Sequence, residues 1–307
     1  MNVLDLIKAG ARQLDVAGVS FGHGTGNAYD EAAWLVLWRL DLPLDSALAG
    51  EGSVADQTPN AQQQAEVLAL FQTRIDTRKP AAYLTHEAWL QGVSFYVDER
   101  VIVPRSLIAE LLVGGAIDYW LTESTRRVLD LCTGNASLAI LAAMTYPDIA
   151  VDASDLSADA LAVARINVDR HGLQDRITLL SSDGLSSLAA PYDLILCNPP
   201  YVNAHSMTLL PAEYRAEPAL ALAGGTDGMD FVRTLVREAP TRMNPNAVLV
   251  LEVGNEREHF ETVFPQLEAI WLTSSAGDDQ VLLLTREALL SNLDSGDTGA
   301  VTRPPPE

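Results

Sequence analysis

Residues 197–202 read Cys-Asn-Pro-Pro-Tyr-Val, and Asn198-Pro199-Pro200-Tyr201 is the part of the chain best suited to chemistry. It follows Tyr192-Asp193-Leu194-Ile195-Leu196-Cys197, a short apolar run that reads as a strand. Each proline fixes φ, lacks an N–H and restrains the residue before it. The Asn198 side chain and the neighbouring carbonyls are thereby held outward as acceptors. Such acceptors can grip a planar –NH2 group while an aromatic ring, here Tyr201, covers it. That suits methylation of an amide or amine nitrogen. Taken alone, the tetrapeptide reads equally well as a Pro-Pro turn leaving a strand.

The elements upstream give it a context. From residue 127 strands and helices alternate. Strands are expected at Val128–Leu131, Ile149–Ser154, Ile177–Leu180, Asp193–Cys197, Ala247–Val253, Ile270–Leu272 and Gln280–Leu284, with helices at Ser137–Tyr146, Ala158–Val168 and Phe231–Ala239. That alternation predicts a mainly parallel sheet covered on both faces, closed by an antiparallel edge hairpin. In such sheets ligands bind beyond the carboxyl ends of strands. Successive strand ends here carry Gly134, Asp155, Asp183 and Asn198. Gly134 lets a ligand approach the backbone. Asp155 can accept hydrogen bonds from both ribose hydroxyls, with Ser157 left to cap the next helix. Asp183 could receive an adenine amino group. Alone, each has a plain reading as a turn or a cap. Gly-x-Gly-x-x-Gly is absent, so no pyrophosphate cradle forms, and Asp130 beside the loop disfavours a phosphate. The pattern suits a cationic or zwitterionic nucleoside such as S-adenosylmethionine better than NAD.

Composition narrows the partners. The chain has 307 residues, enough for two domains and a sizeable core. Its net charge is −21, from 41 acids against 20 bases, and only Lys8 and Lys79 are lysines. Such a surface repels nucleic acid and attracts a basic protein, although acidity can also serve solubility alone. Cys132 and Cys197 are too few for a disulfide framework and are expected as free thiols in a reducing, cytoplasmic compartment. The histidines show no metal-ligand spacing. No apolar run reaches membrane-spanning length, and the start lacks a basic region followed by an apolar stretch, so neither a membrane helix nor a signal peptide is expected.

Residues 1–88 show helical periodicity in three segments and form the first expected unit. Residues 89–106 hold two β-rich runs around a charged turn at 94–103, a β-hairpin linker. Pro104 then opens a helix expected to reach Leu121. The α/β unit fills 107–290, and 291–307, rich in Gly, Asp, Ser and Pro, is an expected disordered tail.

On these residues the chain resembles the bacterial protein-(glutamine-N5) methyltransferases, most closely the branch that modifies a glutamine of ribosomal protein uL3. The likeness is carried by Gly22-His23-Gly24-Thr25, Phe95 to Val101, Val103-Pro104-Arg105-Ser106, Asp130 to Gly134, Asn198 to Val202, Leu210 to Pro218, Gly225 to Gly228 and Glu252 to Asn255. The release-factor branch is closer to Pro-Arg-Pro followed by acidic residues, which this chain lacks. The resemblance implies a helical substrate-recognition domain, a hairpin linker and a seven-stranded, Rossmann-like methyltransferase domain. It implies S-adenosyl-L-methionine held at Thr133, Gly134, Asn135, Ala136, Asp155 and Asp183, with Asn198 touching both cofactor and substrate. The glutamine amide would lie on Asn198 and the Pro199 carbonyl beside Pro200 and Tyr201. Glu213, Tyr214, Arg215 and Glu217 follow the motif within reach of the pocket and are read either as contacts to a basic ribosomal protein of the large subunit or as a solvated helix or loop surface, with no direct DNA binding expected. Ala136 stands where the family has glycine, and at φ > 0 its β-carbon would cost roughly 1–2 kcal/mol and could crowd the cofactor. DNA adenine methylation, release-factor methylation and a non-catalytic ribosome-assembly role are the competing readings.

Overall fold

The computed structural model describes residues 1–189 and 191–296. Three of its first four helices begin on asparagine. Asn2, Asn27 and Asn60 cap α1 (Val3–Val16), α2 (Ala28–Arg39) and α3 (Ala61–Thr77), each side chain accepting a backbone N–H of the first turn. Asp5 and Gln63 complete capping boxes on α1 and α3. The helices bury Leu6, Ile7 and Leu14 against Leu35, Val67 and Phe71. A β-carbon on Gly10 would stand 2.0 Å from the Phe71 ring, so only glycine lets α1 and α3 meet there. A short α4 (Ala81–Thr85) follows.

The hairpin lies upstream of its expected place. Its strands are β1 (Ala88–Leu90) and β2 (Val93–Phe95), paired antiparallel. The turn is Gln91-Gly92, both at positive φ (50° and 75°), as a right-twisted two-residue hairpin requires. The β-rich run after Phe95 stays irregular because Asp98 draws it into a turn, accepting N–H bonds from Arg100 through its side chain and Val101 through its carbonyl. Val97, Val101 and Val103 still bury, against Ala160 and Val163. The helix expected from Pro104 to Leu121 shrinks to α5 (Ile108–Val113), ended by Gly114 and by Gly115 at φ 72°.

The sheet contains β3 (Arg127–Leu131), β4 (Ala150–Asp155), β5 (Ile177–Ser181), β6 (Tyr192–Cys197), β7 (Met243–Glu252), β8 (Ile270–Ser274) and β9 (Gly277–Thr285). Its order is β5-β4-β3-β6-β7-β9-β8. The first five positions run parallel, β9 runs antiparallel to them, and the edge strand β8, antiparallel to β9, runs in the common direction again. Register sends Val128, Leu194 and Val250 to one face, beneath α5, α6 (Ser137–Thr145) and α7 (Ala158–Arg170), and Leu129, Ile195 and Leu249 to the other. The second face is covered in part by α10 (Asp230–Glu238), α11 (Arg257–Val263) and α12 (Arg286–Asp294). Short helices α8 (Ala204–Leu209) and α9 (Ala212–Arg215) lie between β6 and α10.

The chain steps outward from β3 to β5 and returns beside β3 as β6, so the carboxyl ends of β3 and β6 flank a topological switch point. Gly134 and Asn198 both follow this point. At the C-terminus, residues 291–294 are the last turn of α12 rather than the start of a disordered tail. The remainder of that expected tail, from 297, falls outside the described residues.

Candidate functional site

The loop leaving β3 is built from left-handed residues. Cys132, Gly134 and Ala136 have φ of 61°, 55° and 66°. The alternation folds the backbone back, with Ala136 N–H donating to the Thr133 carbonyl (2.9 Å) and Thr133 N–H to the Ser154 carbonyl (2.9 Å). Asp155, at the end of β4, fixes this loop to the next one. Its carboxylate accepts Gly134 N–H and Ser157 N–H, each at 2.9 Å. Burial raises its pKa, against the pull of those N–H bonds. Each carboxylate oxygen keeps a second lone pair, so Asp155 can still receive donors from a ligand. Ser157 caps α7 by accepting Ala160 N–H at 3.1 Å, as expected.

Asp130 sits inside the loop. One oxygen accepts Thr133 Oγ1–H (2.5 Å) and Ala139 N–H (2.9 Å), while Oδ1 is buried with no partner. Burial pushes this carboxyl up to about 7. Asn135 accepts Ser137 N–H at 3.2 Å through Oδ1, and its buried Nδ2 has no partner. An acceptor and a donor beside one loop are thus left without a protein partner.

Two adjoining cavities open here. The larger, about 150 Å³, has Ile102, Leu156 and Phe231 as apolar walls and Asp155, Asp183 and Asn198 as polar ones. The smaller, about 40 Å³, is lined by Arg105, Ser106, Asp130, Thr133, Asn135 and Asn198 among others. Ile102, Cys132, Gly134 and Asn198 line both. Asp183 is exposed at the larger cavity's edge. The half-buried Asn198 makes no side-chain hydrogen bond within the described residues, and no protein donor reaches the Pro199 carbonyl. Both acceptors required for an amide are thus unclaimed.

Other sequence-chosen residues lie elsewhere. Pro200 joins the wall of the larger cavity, but Pro199, Tyr201, Ala136 and Glu217 line neither. The Tyr201 ring packs on Gly254, whose missing β-carbon would stand 2.4 Å from it, and its hydroxyl donates to Glu252 Oε1 at 3.1 Å. It is held behind the Asn-Pro-Pro turn rather than over the pocket. Glu252 Oε2 also accepts Ser106 Oγ–H (2.6 Å) and Leu107 N–H (2.9 Å), and burial raises its pKa. One carboxylate therefore ties the Asn-Pro-Pro-Tyr turn to the Pro104–Leu107 segment. The sequence signal for it was an acid ending the apolar run 247–251 of β7.

Glu217 was expected to touch substrate. Its two oxygens instead take the Arg105 guanidinium end-on, through Nη1 and Nη2 (2.7 Å each), with Val103 N–H (2.9 Å) and, at 3.5 Å, His23. Burial opposes its ionisation, yet His23 and Arg105 outweigh that and hold the carboxyl at about 2. Glu213 pairs with Arg74, which also bonds Glu31 Oε1 at 2.8 Å, all three being buried. Tyr214 packs on His23, with ring centroids 4.3 Å apart. Arg215 is exposed and bonds the Leu210 carbonyl. The segment after Asn-Pro-Pro-Tyr is thereby bolted to the N-terminal helices, and its acids spend their charge inside the protein.

Cys132 and Cys197 are both free thiols. Among the described residues no cluster could hold a metal ion, and no helix is long and apolar enough to cross a membrane.

The model of the methyltransferase small domain family matches residues 117–214. Full-length relatives are much closer. The ribosomal protein uL3 glutamine methyltransferase of Bordetella pertussis is 52% identical, covering 93% of this chain and 95% of that protein. Those of Neisseria meningitidis serogroup B and Bradyrhizobium diazoefficiens are 47% and 43% identical, covering 94% and 92% of this chain and 94% and 89% of theirs. Among solved structures, the hMettl16 catalytic domain in complex with MAT2A 3'UTR hairpin 1 superposes with a TM-score of 0.52 at 15% identity, over 82% of this chain and 89% of that one. That likeness is one of fold.

Proposed function

From the premise that the chain belongs to the ribosomal protein uL3 glutamine methyltransferases, S-adenosylmethionine-dependent enzymes of seven-stranded fold, we propose that it methylates the side-chain amide nitrogen of a glutamine in ribosomal protein uL3. The observation that carries this reading is Asn198: it stands at the junction of the two cavities with its carboxamide unclaimed by the protein.

The residues present fit the cofactor. Asp155 offers a carboxylate to ribose hydroxyls, and Asp183 an acceptor at the open end. Ile102, Leu156 and Phe231 offer apolar surface to a base. The orphaned Oδ1 of Asp130 and the Nδ2 of Asn135 suit an ammonium and a carboxylate. When bound, S-adenosylmethionine supplies a methyl group made electrophilic by its sulfonium.

The chain's own contribution is orientation. A glutamine amide nitrogen is a poor nucleophile because its lone pair is delocalised into the carbonyl. Asn198 Oδ1 and the Pro199 carbonyl each accept one amide N–H, which turns the nitrogen towards the methyl and favours its pyramidal form. Fixing that geometry supplies several kcal/mol, and the same acceptors stabilise positive charge as it grows on nitrogen. Glu252 acts through Tyr201 by holding the turn that presents these acceptors. The nitrogen becomes acidic once alkylated, so no strong base is required beforehand. On this reading the enzyme works in the cytoplasm on a basic ribosomal protein.

The test is transfer of a radiolabelled methyl to uL3 from cells lacking this enzyme, with release factor and duplex DNA as parallel acceptors. Label on a glutamine of uL3 alone is expected. Transfer to release factor or DNA in preference, or to none, would overturn the reading.

A further inference from the structure

A groove runs across the helical side of the molecule, away from the cavities at the strand ends. Its two lobes, about 670 and 160 Å³, share Leu44 and Trp89. Trp38 lies in one lobe and Trp34 in the other, both on α2. Trp89 projects from β1 and keeps 47% of its surface exposed. Asp41, Asp45 and Glu87 stand in the same wall, and no Arg or Lys lines either lobe.

These acids differ from those at the joint between the helices and the sheet. There Glu31, Glu213 and Glu217 are all matched to arginines. Among the described residues Asp41, Asp45 and Glu87 have neither an ion-pair nor a side-chain hydrogen-bond partner. Three unmatched carboxylates beside the exposed Trp89 and the half-buried Trp38 are complementary to cations on alkyl stems. Ammonium and guanidinium groups are attracted to carboxylates, guanidinium stacks on indole, and the stems cover apolar surface. The same charge repels a nucleic-acid backbone.

The groove is also coupled to the amide site. Gly24 and Thr25 form one end of it. The turn they belong to is fastened from behind by His23 to Glu217 and Tyr214, and a β-carbon on Gly22 would stand 2.6 Å from the Tyr214 hydroxyl. Glu217 and Tyr214 end the segment that begins at Asn198. A polypeptide seated in the groove therefore lies on a surface that packs, through His23, against the segment leading from Asn198.

We propose that this groove docks an extended, arginine- or lysine-bearing segment of the protein substrate, with its cations on Asp41, Asp45 and Glu87 and their stems on Trp38 and Trp89. The proposal rests on the reading that a ribosomal protein is the substrate.

The test compares wild type with the triple variant Asp41→Asn, Asp45→Asn, Glu87→Gln and with Trp89→Ala; Asp41, Asp45 and Trp89 are exposed and Glu87 is half-buried. The triple variant is expected to raise KM for uL3 at least about tenfold and to weaken its dependence on salt. kcat and the Kd for S-adenosylmethionine should stay at wild-type values, which also shows that the variant is folded. Trp89→Ala should raise KM in the same sense. An unchanged KM in both variants would overturn the proposal. If wild type transfers no methyl to uL3, the functional reading fails on that result. The groove is then judged by titrating wild type with a synthetic arginine-rich peptide and following tryptophan fluorescence. Saturable quenching that the triple variant loses supports the docking site, and no quenching in wild type overturns it.

Discussion

Replacing Ala136 by glycine restores the residue type that the loop's backbone favours, and the structure predicts that little follows. Ala136 has φ 66° and ψ 23°, and its side chain is completely buried. A left-handed conformation costs a non-glycine residue roughly 1–2 kcal/mol, which glycine would recover. Against that, glycine adds about 0.5–1 kcal/mol of chain entropy to be lost on folding. Removing the buried methyl forfeits about 0.8 kcal/mol more. The sum lies within about 1 kcal/mol of zero, so Tm should move by no more than about 4 °C. The methyl belongs to the cluster that includes Leu138, Ala139 and Ala164 and lines neither cavity. The Kd for S-adenosylmethionine should therefore stay within about twofold, or roughly 0.4 kcal/mol. Ala136→Val is the counterpart: a β-branched residue at positive φ in a filled core should lose at least about 2 kcal/mol. Thermal melts and calorimetric titration of both variants check this. A tenfold gain in cofactor affinity for Ala136→Gly, about 1.4 kcal/mol, would refute the reasoning by showing that the methyl crowds the ligand.

Arg74→Ala should destabilise the protein by about 3–5 kcal/mol, because it strands buried Glu31 without its cation and leaves buried Glu213 only the longer contact to Arg78 (3.4 Å). Urea unfolding measures it, and Arg74→Met combined with Glu31→Gln and Glu213→Gln should recover much of the loss. Asp130 predicts a pH dependence. Its folded carboxyl is pushed up to about 7, against 3.8 ordinarily, so the folded state binds the extra proton between those values. The stability it contributes is complete below pH 3.8, falls as pH rises to 7 and is flat above. Asp130→Asn should remove that slope, worth up to about 4 kcal/mol, in unfolding curves collected across the range.

The sheet was legible because its strands contain apolar runs alternating with helices, and β3 to β6 lead in turn to Gly134, Asp155, Asp183 and Asn198. The expected strand at 193–197 and the helix at 158–168 differ from β6 and α7 by one or two residues at their ends. What failed was local composition overruled by tertiary contact. Val97, Val101 and Val103 look like a strand, yet they bury in a loop because Asp98 supplies a turn and α7 supplies the wall. The Gln91-Gly92 turn that does make the hairpin carries a weaker signal than Asn-Gly. At the candidate site, Asp155 and Asn198 could be picked out because one ends a strand and the other follows one, whereas Asp130, inside β3, was read only as unfavourable to a phosphate. The fates of Glu213, Glu217 and Tyr201 could not. Their partners Arg74, Arg105 and Glu252 are far away in sequence, and no periodicity links a charge to a distant counter-charge.

The role of Asn198 is the centre of the account, and single-turnover methylation of uL3 by Asn198→Ala, measured beside its affinity for S-adenosylmethionine, tests it most directly. The account predicts a rate lowered at least about 100-fold, or roughly 2.7 kcal/mol, with cofactor Kd within about threefold of wild type. A retained rate, or equal losses in rate and cofactor affinity, would contradict it.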